Sequence, residues 1–198
     1  VLLPAGRFLN DGGCLSIPEG VTIQGQGKGV TTIVGGTGTY PALDVNGTEV
    51  SATLVAVGCD HVTIRDLTID HQTNGTLANP IAFMPASNTT HDLAGTVCSD
   101  VAVIDCELLG HESHQYMILS LRSQRVDIRG NTLDGACVAY SEDQNAIEIF
   151  GGYDVTIIGN KVRRIVGSGI SVNTASPTYD DTESVSVIAA NNNLSLCK

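Results

Sequence analysis

The segment VDIRGN, residues 126–131, is followed 29 residues later by VTIIGN, residues 155–160. Each copy leads into a second apolar run, AIEIF at 146–150 after the first and GISV at 169–172 after the second. Residues two apart on a strand point to the same side, so the Val and Ile side chains of each run would enter one shared core. A repeat of this length, with Asn at one fixed place, predicts stacked coils of a parallel β-helix. In such a stack an Asn can hydrogen-bond to the same Asn one coil away.

Related units occur along most of the chain. We call the Val that begins each unit, such as Val126 or Val155, its anchor. Earlier anchors are Val21, Val62 and Val101, and a last anchor falls near residues 185–188. A polar excursion at residues 85–96 separates the second and third of these anchors by 39 residues, and such excursions build groove walls or contacts between subunits. We predict an all-β, right-handed, single-stranded parallel β-helix of about six coils, forming one domain over residues 1–198. The start without Met and the uncapped end at residues 191–198 lead us to expect a piece of a longer protein.

Composition excludes several classes of function. The chain has 198 residues, 22 Gly and a formal net charge of −11, with a pI near 4.6. No basic stripe is present to meet phosphates, so nucleic acid is not an expected partner. No apolar run approaches the roughly 20 residues that a membrane span needs, and no leader is recognisable. Four Asn-x-Ser/Thr sequons are compatible with secretion.

The six cysteines form no CxxC motif and no Cys/His metal pattern, so zinc is not expected. Cys59 and Cys98 each lie three residues before an anchor, Val62 and Val101. Stacked coils are about 4.8 Å apart, which is within disulfide reach. We expect the two residues to be neighbours, either bonded to each other or as part of a ladder of buried thiols.

The start of the chain, PAGRF at 4–8 followed by IPEGVTIQGQGKGVTTIV at 17–34, resembles the opening of the pectate-lyase-like, right-handed β-helix superfamily. That superfamily includes phage tailspikes, mannuronan epimerases and polysaccharide lyases. The resemblance implies a polysaccharide as partner and an extracellular or virion-surface location, and Ca²⁺ and a homotrimer are compatible with it. LSLRS at 119–123 is similar to the SVKS strand of the chondroitinase and alginate lyase family, with Arg122 where those enzymes hold Lys.

Two other family motifs match only in part. YMILSLRS at 116–123 keeps the Tyr of the epimerase catalytic strand and lacks its Asp and His, and GHE at 110–112 covers part of one polygalacturonase signature. Neither of these two activities is therefore supported.

Aligning the second strand of each coil predicts which side chains share a face. The expected inward pairs are Leu43 and Val45, Ile81 and Phe83, Leu119 and Leu121, Ile147 and Ile149, and Ile170 and Val172. The expected outward residues are Asp44, Ala82, Ser120, Glu148 and Ser171. Glu148 is distinctive because its strand is otherwise apolar, and the alignment gives it a serine neighbour on each side.

The same alignment gathers ionisable residues on one side of the stack. The candidate catalytic residues are Glu148, Arg122, His114, Asp143 and Glu142, and the candidate substrate-binding residues are His111, Tyr116 and Tyr140. Glu148 with Asp143 or Glu142 could form the carboxyl pair of a glycoside hydrolase. Arg122 with His114 and Tyr116 could neutralise a uronate and move the protons of a lyase reaction.

Each of these residues also has a structural interpretation. The acidic residues of the turns can be solvated, the histidines can hydrogen-bond turn backbone, and Glu148 can pair with Arg122. Asp66, Asp70 and His71 form a second, weaker cluster, in which Asp70 is expected to cap a turn. No metal site and no cofactor follow from these residues themselves.

The leading expectation is therefore recognition and cleavage of an extracellular polysaccharide, by a lyase or a hydrolase. The alternative is a structural or adhesive segment of a fibre or surface protein.

Overall fold

The computed structural model describes residues 1–10, 14–35, 39–43, 49–71, 79–86, 96–110, 116–135, 145–173 and 185–197. These ranges contain strands and connecting segments and no helix, so none of them provides a helix that could cross a membrane. The strands are β1 (Gly6–Leu9), β2 (Leu15–Ser16), β3 (Thr22–Gln24), β4 (Thr31–Val34), β5 (Thr39–Leu43), β6 (Glu49–Val57), β7 (Thr63–Arg65), β8 (Thr68–Asp70), β9 (Asn79–Met84), β10 (Ser99–Ile104), β11 (Glu107–Leu109), β12 (Tyr116–Leu121), β13 (Gln124–Arg129), β14 (Thr132–Asp134), β15 (Asn145–Phe150), β16 (Tyr153–Ile158), β17 (Lys161–Ile165), β18 (Ile170–Asn173), β19 (Val185–Ala190) and β20 (Asn193–Cys197).

The strands form three parallel sheets. Sheet A has the order β19-β16-β13-β10-β7-β3, sheet B the order β1-β4-β8-β11-β14-β17-β20, and sheet C the order β18-β15-β12-β9-β6-β2. Along most of the chain consecutive strands enter different sheets, and the chain returns to a sheet beside the strand it formed one passage earlier. We call one such passage a coil. The protein is thus all-β, with an arrangement consistent with a parallel β-helix.

The register of sheet A confirms the repeat seen in the sequence. Val126 pairs with Val155, and Val101 pairs with Val126. The last anchor is Val187, which pairs with Val155. Because equivalent residues are directly opposite, their buried Val and Ile side chains form continuous columns in the main core.

The predicted ladder of Asn residues is also present. It lies at the bend between sheets A and B, where Asn131 Nδ2 donates to Asn160 Oδ1 and Asn160 Nδ2 donates to Asn192 Oδ1, each over 3.0 Å. Cys106 occupies the preceding coil, and its backbone N–H donates to Asn131 Oδ1 over 2.9 Å. A side-chain amide both donates and accepts hydrogen bonds, so Asn alone can satisfy the polar groups of the same bend in successive coils.

A second regular feature is the backbone at the start of each sheet A strand. The residue just before each anchor has a positive φ, and these residues are Gly20, His61, Asp100, Arg125, Asp154 and Ser186. The left-handed conformation turns the chain sharply between sheets. It recurs at each corner between sheets C and A, and so these side chains lie in one column along the stack.

In sheet C the observed register corrects two parts of the predicted alignment. Ile118 pairs with Ile147 and Leu119 pairs with Glu148, one residue from the expected match. Ser120 is therefore not beside Glu148, and it lies fully buried opposite Ile149. The cause is that the consecutive side chains of Met117 and Ile118 both enter the main core, which interrupts the strict alternation of β12.

The first coil of sheet C also differs from the prediction. Leu54 of β6 pairs with Ile81, whereas Leu43 belongs to β5, which pairs antiparallel with β6. Val45 and Asp44 lie outside the described residues. The inward columns at Ile81 and Phe83 and at Ile147 and Ile149 are confirmed by their place in the main core.

Cys59 and Cys98 are neighbours, as expected. Their successors Asp60 and Ser99 form a parallel bridge, and the Ser99 N–H donates to the Cys59 carbonyl over 3.3 Å. Both residues are free thiols, so the structure shows the stacked thiols and not the disulfide. Burial raises the pKa of the Cys98 thiol, which keeps the sulfur protonated at neutral pH.

Candidate functional site

The outer face of sheet C changes character along the stack. In β6, β9 and β12 most of its residues are apolar and buried, and they form a second cluster apart from the main core. The members of this cluster are Ala52, Val55, Ala82, Met84, Leu119 and Leu121. In β15 and β18 the residues that continue these columns are Glu148, Phe150, Ser171 and Asn173. The face therefore becomes polar at Glu148.

Glu148 is buried, with only 1% of its surface exposed, although it lies on an outer face. Asn173 Nδ2 and Ser171 Oγ donate to its Oε1 over 2.6 and 3.1 Å, and Asn145 Nδ2 donates to its Oε2. All three partners are donors, which suits the acceptor-only oxygens of a carboxylate. Such bonds offset the large cost of burying this group.

The amides around Glu148 are themselves held by the backbone. Asn145 Oδ1 accepts from the Ser168 N–H over 2.7 Å, in the next coil. In the preceding coils the backbone N–H of Tyr116, which is opposite Asn145, donates to Asn79 Oδ1 over 2.9 Å. The polar end of the face is therefore held by side-chain contacts that join the coils of β15 and β18, and a similar amide contact joins β9 and β12.

Two aromatic rings lie on the same face. Tyr116 and Phe150 meet edge to face, with ring centroids 6.3 Å apart, and both pack against the apolar cluster. Tyr116 precedes Leu119 on β12, and Phe150 follows Glu148 on β15, where Leu119 and Glu148 are paired. The rings must lean toward one another along the face in order to meet, so we infer that they help to cover these two residues.

Arg122 follows β12 at the corner between sheets C and A. Its backbone N–H donates to the Phe150 carbonyl over 2.7 Å, its φ is +54°, and the residue is half-buried. Of the predicted site residues, the structure therefore places Glu148, Arg122 and Tyr116 on the neighbouring strands β12 and β15 or at their ends.

The other predicted site residues lie outside the described ranges. They are His111, His114, Tyr140, Glu142 and Asp143. Their proposed contributions to acid, base or sugar contacts stay predictions.

The weaker cluster of the sequence divides into separate contacts. Asp70 accepts from Arg7 over 2.9 Å, Asp66 accepts from Arg65 over 2.7 Å, and His71 is fully buried with its Nδ1 2.6 Å from Thr53 Oγ1. Across the described part of the chain, no three His, Cys, Asp or Glu side chains are grouped so as to hold a metal ion.

Asn145 and Asn173 were not predicted as partners of Glu148. Both are visible in the sequence at strand ends, one just before AIEIF and one just after ISV. Their relation to Glu148 depends on the register between coils, since Asn173 is 25 residues away.

Comparisons with known proteins assign no family to this arrangement. No protein-family model matches the chain, no curated protein matches it, and no solved structure matches it.

Proposed function

We propose that the three sheets form a right-handed parallel β-helix of about six coils, since crossovers between parallel strands are right-handed in almost all proteins. The continuous columns of sheet A and the Asn ladder support this architecture. It offers long outer faces on which an extended polymer could lie.

We further propose that the outer face of sheet C recognises and cleaves an extracellular polysaccharide. The observation that carries this proposal is the buried Glu148, which accepts three side-chain hydrogen bonds where an apolar face becomes polar. Buried ionisable groups with dedicated partners are frequent at functional sites. The neighbouring Tyr116 and Phe150 rings add an aromatic surface of the kind on which a ligand can pack.

Within this class, the geometry favours a lyase over a hydrolase. A hydrolase needs two carboxyl groups that reach the glycosidic bond, and Glu148 is 1% exposed. In a lyase, the half-buried Arg122 would neutralise the uronate carboxylate and the half-buried Tyr116 would donate a proton to the leaving oxygen. Glu148 would then orient Asn145 and Asn173 toward the sugar, with His114 as the expected base.

The test is incubation with acidic and neutral polysaccharides, measuring both new reducing ends and the ultraviolet absorbance of unsaturated products. The variants are Arg122→Gln and Glu148→Gln, and the matched controls are Arg65→Gln and Glu107→Gln on the outer faces of sheets A and B. We expect unsaturated product from an acidic polymer and a loss of at least about a hundredfold in rate with Arg122→Gln, as for the removal of one positioned charge. Thermal melting of each variant separates lost activity from lost folding.

The alternative, a structural or adhesive rod, is favoured by the same burial of Glu148, because a fully hydrogen-bonded carboxylate can simply stabilise the stack. Under this alternative no polymer gives a product, and Glu148→Gln lowers the melting temperature more than Glu107→Gln does. Product formation that both site variants leave unchanged would place catalysis elsewhere.

A further inference from the structure

A groove of about 340 Å³ lies on the outer face of sheet A, between β13 and β16. Its polar lining consists of Arg125, Asp127 and Arg129 from the first strand and of Asp154 and Thr156 from the second. The volume is at the lower end of the range for small-molecule sites. This groove is on a different sheet from Glu148, so the two faces can be tested separately.

The side chains of the groove offer both donors and acceptors. Arg129 forms an ion pair with Asp127 Oδ2, whereas Asp127 Oδ1 has no hydrogen-bond partner among the described residues although it is buried. Arg125 is held by Asp100, with one of its bonds at 2.9 Å. A guanidinium has five N–H donors, so each arginine keeps donors for a ligand.

Asp127 is a local departure from the composition of its column in sheet A. The outward column through Asp127 otherwise contains Thr22, Thr63, Ala102, Thr156 and Ile188. A carboxylate therefore replaces uncharged side chains in one coil only. Since Thr suits a strand better than Asp does, strand stability does not explain the replacement.

An exposed aromatic residue lies beside the groove. Tyr153 is 36% exposed and immediately precedes Asp154. Apart from Tyr153 and Val30, the exposed large apolar residues of the described chain lie on or beside the edge strand of a sheet, for example Leu9 and Leu194. An edge strand has a neighbour on one side only, but Tyr153 pairs with residues on both sides, Gln124 and Val185. Its exposure is therefore not explained by a position at a sheet edge.

We propose that this groove binds a neutral oligosaccharide, with Asp127 and the arginines bonding sugar hydroxyls and Tyr153 packing against a sugar ring. A hydroxyl both donates and accepts, which matches a lining with two arginines and two aspartates. A strongly anionic ligand would meet the two carboxylates that line the groove. The tyrosine adds a rigid amphipathic surface at low entropic cost.

The experiment is calorimetric titration of the full chain with hexasaccharides of glucose, xylose and mannose, and with hexagalacturonate as the acidic probe. The variants are Asp127→Thr, which copies Thr156 of the next coil, and Tyr153→Ala. Arg65→Gln is the control for Arg129→Gln, because both arginines occupy the same outward column of sheet A and form ion pairs with a nearby Asp.

We expect at least one neutral hexasaccharide to bind, and Asp127→Thr and Arg129→Gln to weaken that binding about tenfold or more, as for loss of a charge-assisted hydrogen bond. Arg65→Gln and Glu148→Gln should change the dissociation constant of that hexasaccharide by less than about twofold. The proposal is overturned by three outcomes: no neutral probe binds, only hexagalacturonate binds, or Arg65→Gln weakens binding as much as Arg129→Gln. Because Glu148→Gln is included, failure here is distinguishable from failure of the proposed cleavage on sheet C.

Discussion

Replacing Asn160 with Ala should strongly destabilise the protein, because this residue is the centre of the Asn ladder. The residue is 1% exposed. Its Oδ1 accepts from the backbone N–H and the Nδ2 of Asn131, each over 3.0 Å, and its Nδ2 donates to the Ile128 carbonyl over 2.9 Å and to Asn192 Oδ1 over 3.0 Å. Asn160→Ala removes all four bonds and leaves their partners inside the bend.

The expected loss follows from these four bonds. A typical intramolecular hydrogen bond contributes about 1 kcal/mol net, so the substitution should lower the free energy of unfolding by about 4 kcal/mol. Small domains have only about 5–15 kcal/mol in total, so the change would be a large fraction of the stability. Asn192→Ala removes three side-chain bonds at a less buried position and should cost less, about 2–3 kcal/mol.

Urea denaturation followed by circular dichroism measures this loss, with Asn193→Ala as the control because Asn193 is exposed at the start of β20. The control should change the free energy of unfolding by less than about 0.5 kcal/mol. A loss below about 1 kcal/mol for Asn160→Ala at an unchanged m-value would refute the reasoning, since the four bonds would then contribute almost nothing net.

Three further predictions concern charge, thiols and packing. Hydrogen bonding from Arg125 holds the pKa of Asp100 below its ordinary value. The stability from this pair is therefore present above about pH 4 and is lost as the pH falls further. Asp100→Asn should flatten the acid limb of a curve of unfolding free energy against pH. Burial raises the pKa of the Cys106 thiol to about 12. Iodoacetamide at pH 8 should therefore modify Cys106 only after the protein unfolds. Peptide mass mapping that finds Cys106 labelled in the native protein would contradict this. A Cβ on Gly25 would lie 2.5 Å from the Asp66 carbonyl oxygen. Gly25→Ala should therefore lower the free energy of unfolding, measured by urea denaturation, by about 1–3 kcal/mol. An unchanged free energy would mean that the backbone between β3 and β4 relaxes easily.

The pairing of the two central coils in sheet A was predictable because one spacing relates several of their positions. Val126 and Val155 are 29 residues apart and are opposite each other in the sheet. Asn131 and Asn160 have the same spacing and hydrogen-bond directly. When coils stack in register, equal positions in the sequence become neighbours in space, so the pattern alone identifies the contacts.

The register of β12 was not predictable from alternation. In MILSL, residues 117–121, two alternating patterns fit almost equally well, because four of the five residues are apolar. Only the packing decides that Met117 and Ile118 both enter the main core and that Leu119 is opposite Glu148. A shift of one residue exchanges the two faces of a strand, so the neighbours predicted for Glu148 were half wrong.

The candidate sites show the same division. Glu148 could be singled out from the sequence as a charge in an apolar strand, but its burial and its bonds to Asn145 and Asn173 required the tertiary structure. The 29-residue spacing already predicts that Asp127 and Thr156 are neighbours, but the sequence does not mark them as part of a groove, because each alone is an ordinary polar residue on a strand.

By itself, the sequence determined the all-β character, the stacking of the central coils and the residue type at the recurring bend, because each depends on local alternation and on a motif that recurs along the chain. The tertiary structure alone decided which carboxylates are buried, which are paired and which face a groove. These properties depend on side chains contributed by different coils, and the free energy of a charge is set by all of its neighbours in space, whatever their distance along the chain.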